Sequence, residues 1–474
     1  MARFFKYKSA EQLVDDAKQL GGDLAVTDDF SALFSTVKVA GFEVGNRFAI
    51  QPMEGCDGTP DGKPDELTFR RYRRFGAGGA KLIWGEAAAV VDEGRMNPRQ
   101  LLITQNNASE IEQMLQGARR AHRETVGEDS DLLIGLQLTH SGRYSYRKPI
   151  IAKHDVLLDP RIRQADGTMG IDASYPILTD DELKRLEDHY LVAAQLAWKI
   201  GFQFVDIKQC HRYLLSELLS ARNRPGLYGG SLENRTRFIR NVVRRIRSEL
   251  PKLIVATRMN AYDGIPYTAT GEENIGQPCA HEHPITSAFG VSEADYLKAD
   301  LSEPVQLATW LKDWGVSLIN ISAGNPYANP HVVRPAEFAP VDGYNAPEHP
   351  LIGVLRHFHL TRAIQQAVGE LPVVGSGYSW LQDYVMHVAA ANIQRGDVSF
   401  IGMGRATLSH PDFVTTLKQT GKLRRSSICR TFSYCTNLMR SKDHPLGQYP
   451  TGCPPFDKEI YDPLWKEVQQ KRDQ

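Results

Sequence analysis

Lys208, His211 and Tyr213 lie within six residues of one another, at and just beyond the end of an apolar run, Phe204–Lys208, that reads as a buried strand. All three handle protons, and the carboxyl end of a strand is where parallel α/β folds keep their chemistry. A phenol with an ordinary pKa of about 10 is still protonated at neutral pH and can serve as an acid. Each residue also has a plainer reading. His211 alone fits a structural histidine, Tyr213 a core or rim aromatic, and Lys208 a partner for a carboxylate or a lysine kept neutral by burial. Lys208 also fits a ligand for an anionic substrate or a Schiff-base nucleophile of a lyase. The i, i+2 spacing of His211 and Tyr213 after one strand argues for a shared site.

Positioning such a group requires a scaffold, and the chain supplies a regular one. Eight short runs rich in Val, Ile, Leu and Phe recur: Phe48–Met53, Ala80–Glu86, Leu132–Thr139, Phe204–Lys208, Ile254–Asn260, Leu318–Ser322, Val373–Ser376 and Val398–Met403. Helical patterns separate most of them, which predicts an α/β fold with a closed (β/α)8 TIM barrel. Thr179-Asp-Asp-Glu182 is a capping box opening a helix with Leu183, Leu186, Tyr190, Ala194 and Ala197 on one stripe. A second helix follows Ser231, with Phe238, Val242, Ile246 and Leu250 facing inward. Stretches 143–178 and 262–302 exceed the loops a minimal barrel needs, and both follow strands, so they are expected over the catalytic mouth. The expected divisions are an N-terminal extension (1–35), a barrel (36–425) and a C-terminal tail (426–474) that docks back.

Composition narrows the partners. Lys plus Arg number 56 and Asp plus Glu number 56, so no global field favours nucleic acid or an anionic membrane. The cluster Arg70, Arg71, Arg73 and Arg74 reads as a solvated helix face. No run of about 18 uninterrupted apolar residues and no leader pattern occurs, so a soluble, cytoplasmic protein acting on a small molecule is expected. Six irregularly spaced cysteines read as reduced thiols. A homo-oligomer is compatible with all of this.

Several segments together carry a family resemblance. Asp206-Ile207, His211, Tyr213 and Tyr228 through Arg235 are similar to the D-I-H-x-x-H/N-x-Y and Y-G-G-S-x-E-N-R segments of the Old Yellow Enzyme (NADH:flavin oxidoreductase) family. Leu136 through Arg143 resembles its Q-L-x-H-x-G-R segment, Asn46 through Met53 its first strand, and Gly396 through Arg405 with His410-Pro411 its closing segment. The resemblance implies an FMN-dependent oxidoreductase driven by NADH or NADPH that reduces an activated alkene. Pro52, Met53 and Gly85 would approach the flavin, Gln137 would bond its pyrimidine side, and Arg258 would sit at N1/O2, where charge develops on reduction. Arg258 taken alone also fits, as the lesser reading, a salt bridge to Asp206 or Glu86. Gly375, Gly377, Gly404 and Arg405 would take the phosphate at the ends of strands seven and eight. Carried over by position, Lys208 and His211 are the pair of donors to the substrate carbonyl, acting as an oxyanion hole, and Tyr213 is the acid.

Departures from the family limit what transfers. Lys208 replaces the first histidine, Arg212 replaces a glycine, and Glu54 stands where relatives carry Thr or Cys. Lys208, His211 and Arg212 together suggest a substrate bearing a carboxylate or another anion. Cys429-x₅-Cys435-x₁₇-Cys453 lacks the spacing of a four-iron cluster, so no iron-sulfur group is expected. Cys279-Ala-His281-Glu-His283 could grip zinc but reads better as a polar lid, so no metal is assigned. A flavin-dependent dehydrogenase or demethylase of an amine, alcohol or ring substrate remains the alternative within the fold, and a Lys208 Schiff-base lyase the alternative of another class.

Overall fold

The computed structural model describes residues 5–441 and 443–472. Its eight parallel strands close into a barrel: β1 Phe48–Ile50, β2 Leu82–Ala89, β3 Leu133–Thr139, β4 Phe204–Ile207, β5 Ile254–Tyr262, β6 Leu318–Ala323, β7 Val373–Gly375 and β8 Phe400–Met403. They are the eight runs expected from the sequence, with ends moved by a few residues. β8 pairs back onto β1 through Ile401–Phe48, Gly402–Ala49 and Met403–Ile50. The β2–β3 register shifts between Trp84 and Ala87, beside Gly85. A Cβ on Gly85 would come within 2.4 Å of the Gly135 carbonyl oxygen, so the strands can approach only because that residue is glycine. Gly85 thus lies inside β2, where its missing side chain serves strand packing.

Two layers fill the barrel. At the amino-terminal end Trp84, Leu133, Phe204 and Phe400 pack with Val39 and Val44, which come from the hairpin Val37–Val39/Phe42–Val44. That hairpin plugs the bottom. Above it lies a polar belt in which Asn320 Nδ2 donates to Gln51 Oε1 at 2.7 Å and Gln51 Nε2 donates to the Gly375 carbonyl at 3.0 Å. Helices coat the outside. Asp180–Lys199 starts with its capping box closed in both directions, Thr179 N to Glu182 Oε2 at 2.7 Å and Glu182 N to Thr179 Oγ1 at 3.2 Å. The second expected helix divides into Leu232–Arg235 and Arg237–Glu249, with Phe238, Val242 and Ile246 buried.

The arginine cluster corrects the sequence reading. On helix Glu66–Ala77, Arg71 is 4% exposed and its guanidinium is held by both Asp57 and Glu86, while Arg70 and Arg74 clasp Asp457. The helix face is solvated only in part because it carries the counter-ions of two buried carboxylates and of the tail. Burial, together with Asp57, lifts the Glu86 carboxyl to about 7 even though Arg71 opposes it.

The segments beyond the minimal barrel gather at its carboxyl-terminal face. Segment 143–178 is anchored by Arg143, which donates to Glu217 at 2.8 Å and Asp159 at 2.6 Å. Segment 262–302, which the sequence predicts as loop, contains a hairpin, Tyr267–Thr270/Ile275–Pro278. The tail reaches from the loops after β7 and β6 to those after β1 and β2. Arg430 donates to Gln382 at 2.7 Å, Arg440 to the Pro326 carbonyl at 2.6 Å, Arg99 to the Gln448 carbonyl at 3.2 Å, and Thr451 N to the Gly55 carbonyl at 2.6 Å.

Replacing Arg71 with Met strands Asp57 and Glu86 without their buried cation. Chemical denaturation of Arg71→Met should show a loss of about 3–5 kcal/mol, the range for breaking one side of a buried ion pair. A loss below about 1 kcal/mol would place these carboxylates in water.

Candidate active site

After β4 the chain makes a turn that few side chains tolerate. His211 and Arg212 sit at φ 64° and 62°, both in the left-handed region where a Cβ is strained. The turn is held on every side. Gln209 N donates to the Arg258 carbonyl at 2.8 Å, His211 N to Asn260 Oδ1 at 3.2 Å, and Arg212 N to Ser216 Oγ at 3.1 Å. Helix Leu214–Leu219 follows directly, with Tyr213 as its N-cap. Lys208, His211 and Tyr213 are thereby gathered at the barrel mouth, as the sequence suggested.

Arg212 does not join them as a substrate ligand. Its guanidinium is fastened between Asp155 and Asp263, the latter at 3.1 Å, and also donates to the Ser287 carbonyl at 3.0 Å. Both carboxylates are almost fully buried, so the arginine completes a structural ion cluster that ties the two inserted loops together. Its reading as a substrate-binding cation is therefore withdrawn. Lys208 is also compensated: Nζ lies 3.5 Å from Glu54 Oε1 and 4.0 Å from the centroid of the Tyr213 ring. Burial pushes the Glu54 carboxyl above the usual carboxylate range, against the pull of Lys208.

His211 Nε2 lies 2.8 Å from Ser322 Oγ, and the same oxygen accepts from Arg258 Nη2 at 3.4 Å. Burial, with Arg258 and Lys208 nearby, drops the His211 pKa well below its ordinary value, so the ring is neutral at pH 7. The Tyr213 hydroxyl is 3.2 Å from that of Tyr327, and both rings pack around Tyr144. Burial raises the Tyr213 pKa further, with Tyr327 and Glu54 contributing, so the phenol holds its proton throughout the physiological range.

Beneath this group Asp206 bonds Trp84 Nε1 at 2.7 Å, Gln137 Nε2 at 2.5 Å and the backbone N–H of Arg258 at 2.7 Å. Gln137 is left with Oε1 as an acceptor. Since Asp206 takes the backbone of Arg258 and Glu86 takes Arg71, neither carboxylate pairs with the Arg258 guanidinium, which is buried with Nε unpartnered. The salt-bridge reading of Arg258 is thereby set aside. At the ends of β7 and β8, Arg405 donates to the Pro335 carbonyl at 2.6 Å and keeps a buried, unpartnered Nη1. Arg334, in the loop after β6, bonds Thr436 Oγ1 at 3.0 Å and keeps Nε and Nη2 unpartnered. Burial, together with Arg440 and Arg405, pulls the Arg334 pKa down to about 9, against the opposing pull of Asp342. Gly404 has room: a Cβ there would meet nothing nearer than Met53 Sδ at 3.7 Å. Gly377, at φ 92°, turns the chain after β7 against His357. Pro52 and Met53 follow β1 on the same face. A polar ring held at one edge by Arg258 and Gln137, with a phosphate at Arg405 and Arg334, fits these orphaned donors.

Ser322, Tyr327 and Arg334 belong to this site and the sequence reading missed them, because they lie at a strand end and in a loop that carries no periodic signal. Among the described residues, no three His, Cys, Asp or Glu side chains are placed to hold a metal ion. In the lid segment, His281 and His283 bond the Cys279 and Glu293 carbonyls, each at 2.9 Å.

The sequence profile of the NADH:flavin oxidoreductase / NADH oxidase family matches residues 32–317. An NADPH dehydrogenase of Halalkalibacterium halodurans is 27% identical over 69% of this chain and 80% of its own length. An old yellow enzyme homologue from Zymomonas mobilis superposes with a TM-score of 0.58 at 23% identity, covering 84% of this chain and 95% of that one. A 2-naphthoyl-CoA reductase structure gives 0.65 at 16% identity over 92% of this chain, which spans 58% of the reductase. At these identities the structural likenesses speak to the barrel, while the profile covers more than half of the sequence. The chain belongs to the NADH:flavin oxidoreductase / NADH oxidase family and is a flavin-dependent oxidoreductase.

Proposed function

We propose that the protein binds FMN and uses NADPH or NADH to reduce an alkene activated by a carbonyl group. The observation that carries this is the pairing of a buried guanidinium lacking a carboxylate, Arg258, with three proton-handling groups gathered above it after β4. NADPH as donor is supported by the names of the bacterial relatives. Bound flavin supplies the hydride that passes between nicotinamide and substrate.

The residues divide the remaining work. Arg258 and Gln137 orient the ring, and Arg405, Arg334, Gly375, Gly377 and Gly404 hold the phosphate, with Pro52 and Met53 lining the ring by backbone. Ser322 Oγ accepts from Arg258, and we assign its own proton to His211 Nε2. That leaves the imidazole proton on Nδ1, available to a substrate oxygen. Lys208 is the second donor, and the two together stabilise a developing enolate. Tyr213 gives its proton to the α-carbon, and Tyr327, 3.2 Å away, is placed to replace it. The tail and the inserted loops exclude water. Lys208 lies 3.5 Å from Glu54 and over the face of Tyr213, an arrangement that suits a hydrogen-bond donor rather than a Schiff-base nucleophile.

Purified protein should be yellow, lose its colour with NADPH and regain it with an enone. Tyr213→Phe should slow recolouring by about 10²–10⁴-fold, the usual worth of a positioned acid, while bleaching by NADPH is retained. Colourless protein, or equal slowing of both steps, would refute the assignment. Arg405→Met and Arg334→Met should each weaken FMN about ten- to a hundredfold, a charged hydrogen bond being worth roughly 1.5–3 kcal/mol, and leave riboflavin affinity unchanged. Equal weakening of both flavins would remove these arginines from the phosphate.

A further inference from the structure

Glu54 is a carboxylate in a place of consequence. It follows Pro52-Met53 beyond β1, its side chain is 13% exposed, and its ion-pair partner is Lys208, itself 5% exposed. Among the described residues no second carboxylate contacts Lys208 and no second cation contacts Glu54. The ammonium is thus fixed between Glu54 and the face of Tyr213. The other charges around the pocket are accounted for: Arg212 is spent on Asp155 and Asp263, and His211 is neutral. Arg258 lies below, bonded to Ser322.

We infer that Glu54 determines the charge of substrate the pocket accepts. With Lys208 it forms a hydrogen-bond donor of zero net charge, so the site takes uncharged carbonyl compounds (aldehydes, ketones, esters, amides) and rejects carboxylates. This rests on the reading of Lys208 and His211 as the donors to the substrate carbonyl. A neutral carbonyl oxygen can accept from Lys208 while the Glu54 pair stays intact. A carboxylate would bring a second negative charge beside Glu54 in a desolvated pocket, where like charges repel strongly and the cation next to it, Lys208, is already paired. Of the groups that the sequence assigned to an anionic ligand, Lys208 and Arg212 carry their own carboxylates and His211 is neutral.

Calorimetric titration of the purified holoenzyme with cinnamamide and cinnamate, two ligands of one skeleton and different charge, tests this in mildly alkaline buffer that keeps Glu54 ionised. The wild type should prefer the amide by about tenfold or more, roughly one misplaced charge. Glu54→Gln should narrow or reverse the preference by a similar factor, Glu54→Asp should keep it, and the double variant Glu54→Gln with Lys208→Met should lose the gain in cinnamate binding. Wild-type protein that binds cinnamate as tightly as the amide, or neither ligand, overturns the inference, as does an unchanged ratio in Glu54→Gln. If Glu54→Gln does not fold, the wild-type ratio and the Glu54→Asp ratio decide. Failure of the flavin reading itself would show separately, as colourless protein.

Discussion

Everything at the barrel mouth depends on how one buried carboxylate spends its hydrogen bonds. Asp206 joins the indole of Trp84 on β2, the amide of Gln137 on β3 and the backbone of Arg258 on β5, so four neighbouring strands are knit at one point. Burial lifts its carboxyl to about 6, and the donors offset only part of that cost. Had it paired with the Arg258 guanidinium, the site would hold a closed salt bridge and no open cation. By taking the backbone N–H, Asp206 fixes the strand and leaves the charge of Arg258 available, which is the condition for a buried cation to attract a ligand.

The same economy recurs around the site. Each carboxylate near the mouth is assigned: Glu86 and Asp57 to Arg71, Asp155 and Asp263 to Arg212, Glu217 to Arg143, Glu54 to Lys208. Arg258, Arg334 and Arg405, guanidiniums with buried unpartnered donors and no carboxylate within ion-pair distance among the described residues, run from beneath Lys208, His211 and Tyr213 to the ends of β7 and β8. Their arrangement suits a ligand with negative character at two places. The left-handed pair His211–Arg212 belongs to this scheme, since the ion cluster on Arg212 holds the turn that sets His211 and Tyr213 in place.

Much of the barrel was legible in the sequence because short apolar runs between helical stripes leave few other closed solutions, and the capping box at Thr179 marked a helix start to the residue. The grouping of Lys208, His211 and Tyr213 at the mouth was legible from spacing after a strand. What escaped was whatever depends on partners far away in the chain. Arg71 looks like any other arginine in Arg70-Arg-Tyr-Arg-Arg74 until Asp57 and Glu86 fold against it, and Arg212 looks like a mouth cation until two loops close around it. Arg334 and Tyr327 sit in a loop without periodicity, and the two small hairpins are too short and too polar at their outer positions to announce themselves.

The tail that straddles the mouth follows the barrel in chain order. A ribosome therefore completes all eight strands before the segment that anchors to Gly55, Pro326 and Gln382 exists. The loops after β1, β6 and β7 are thus in place before the strap that joins them, which is the last part of the mouth to be made.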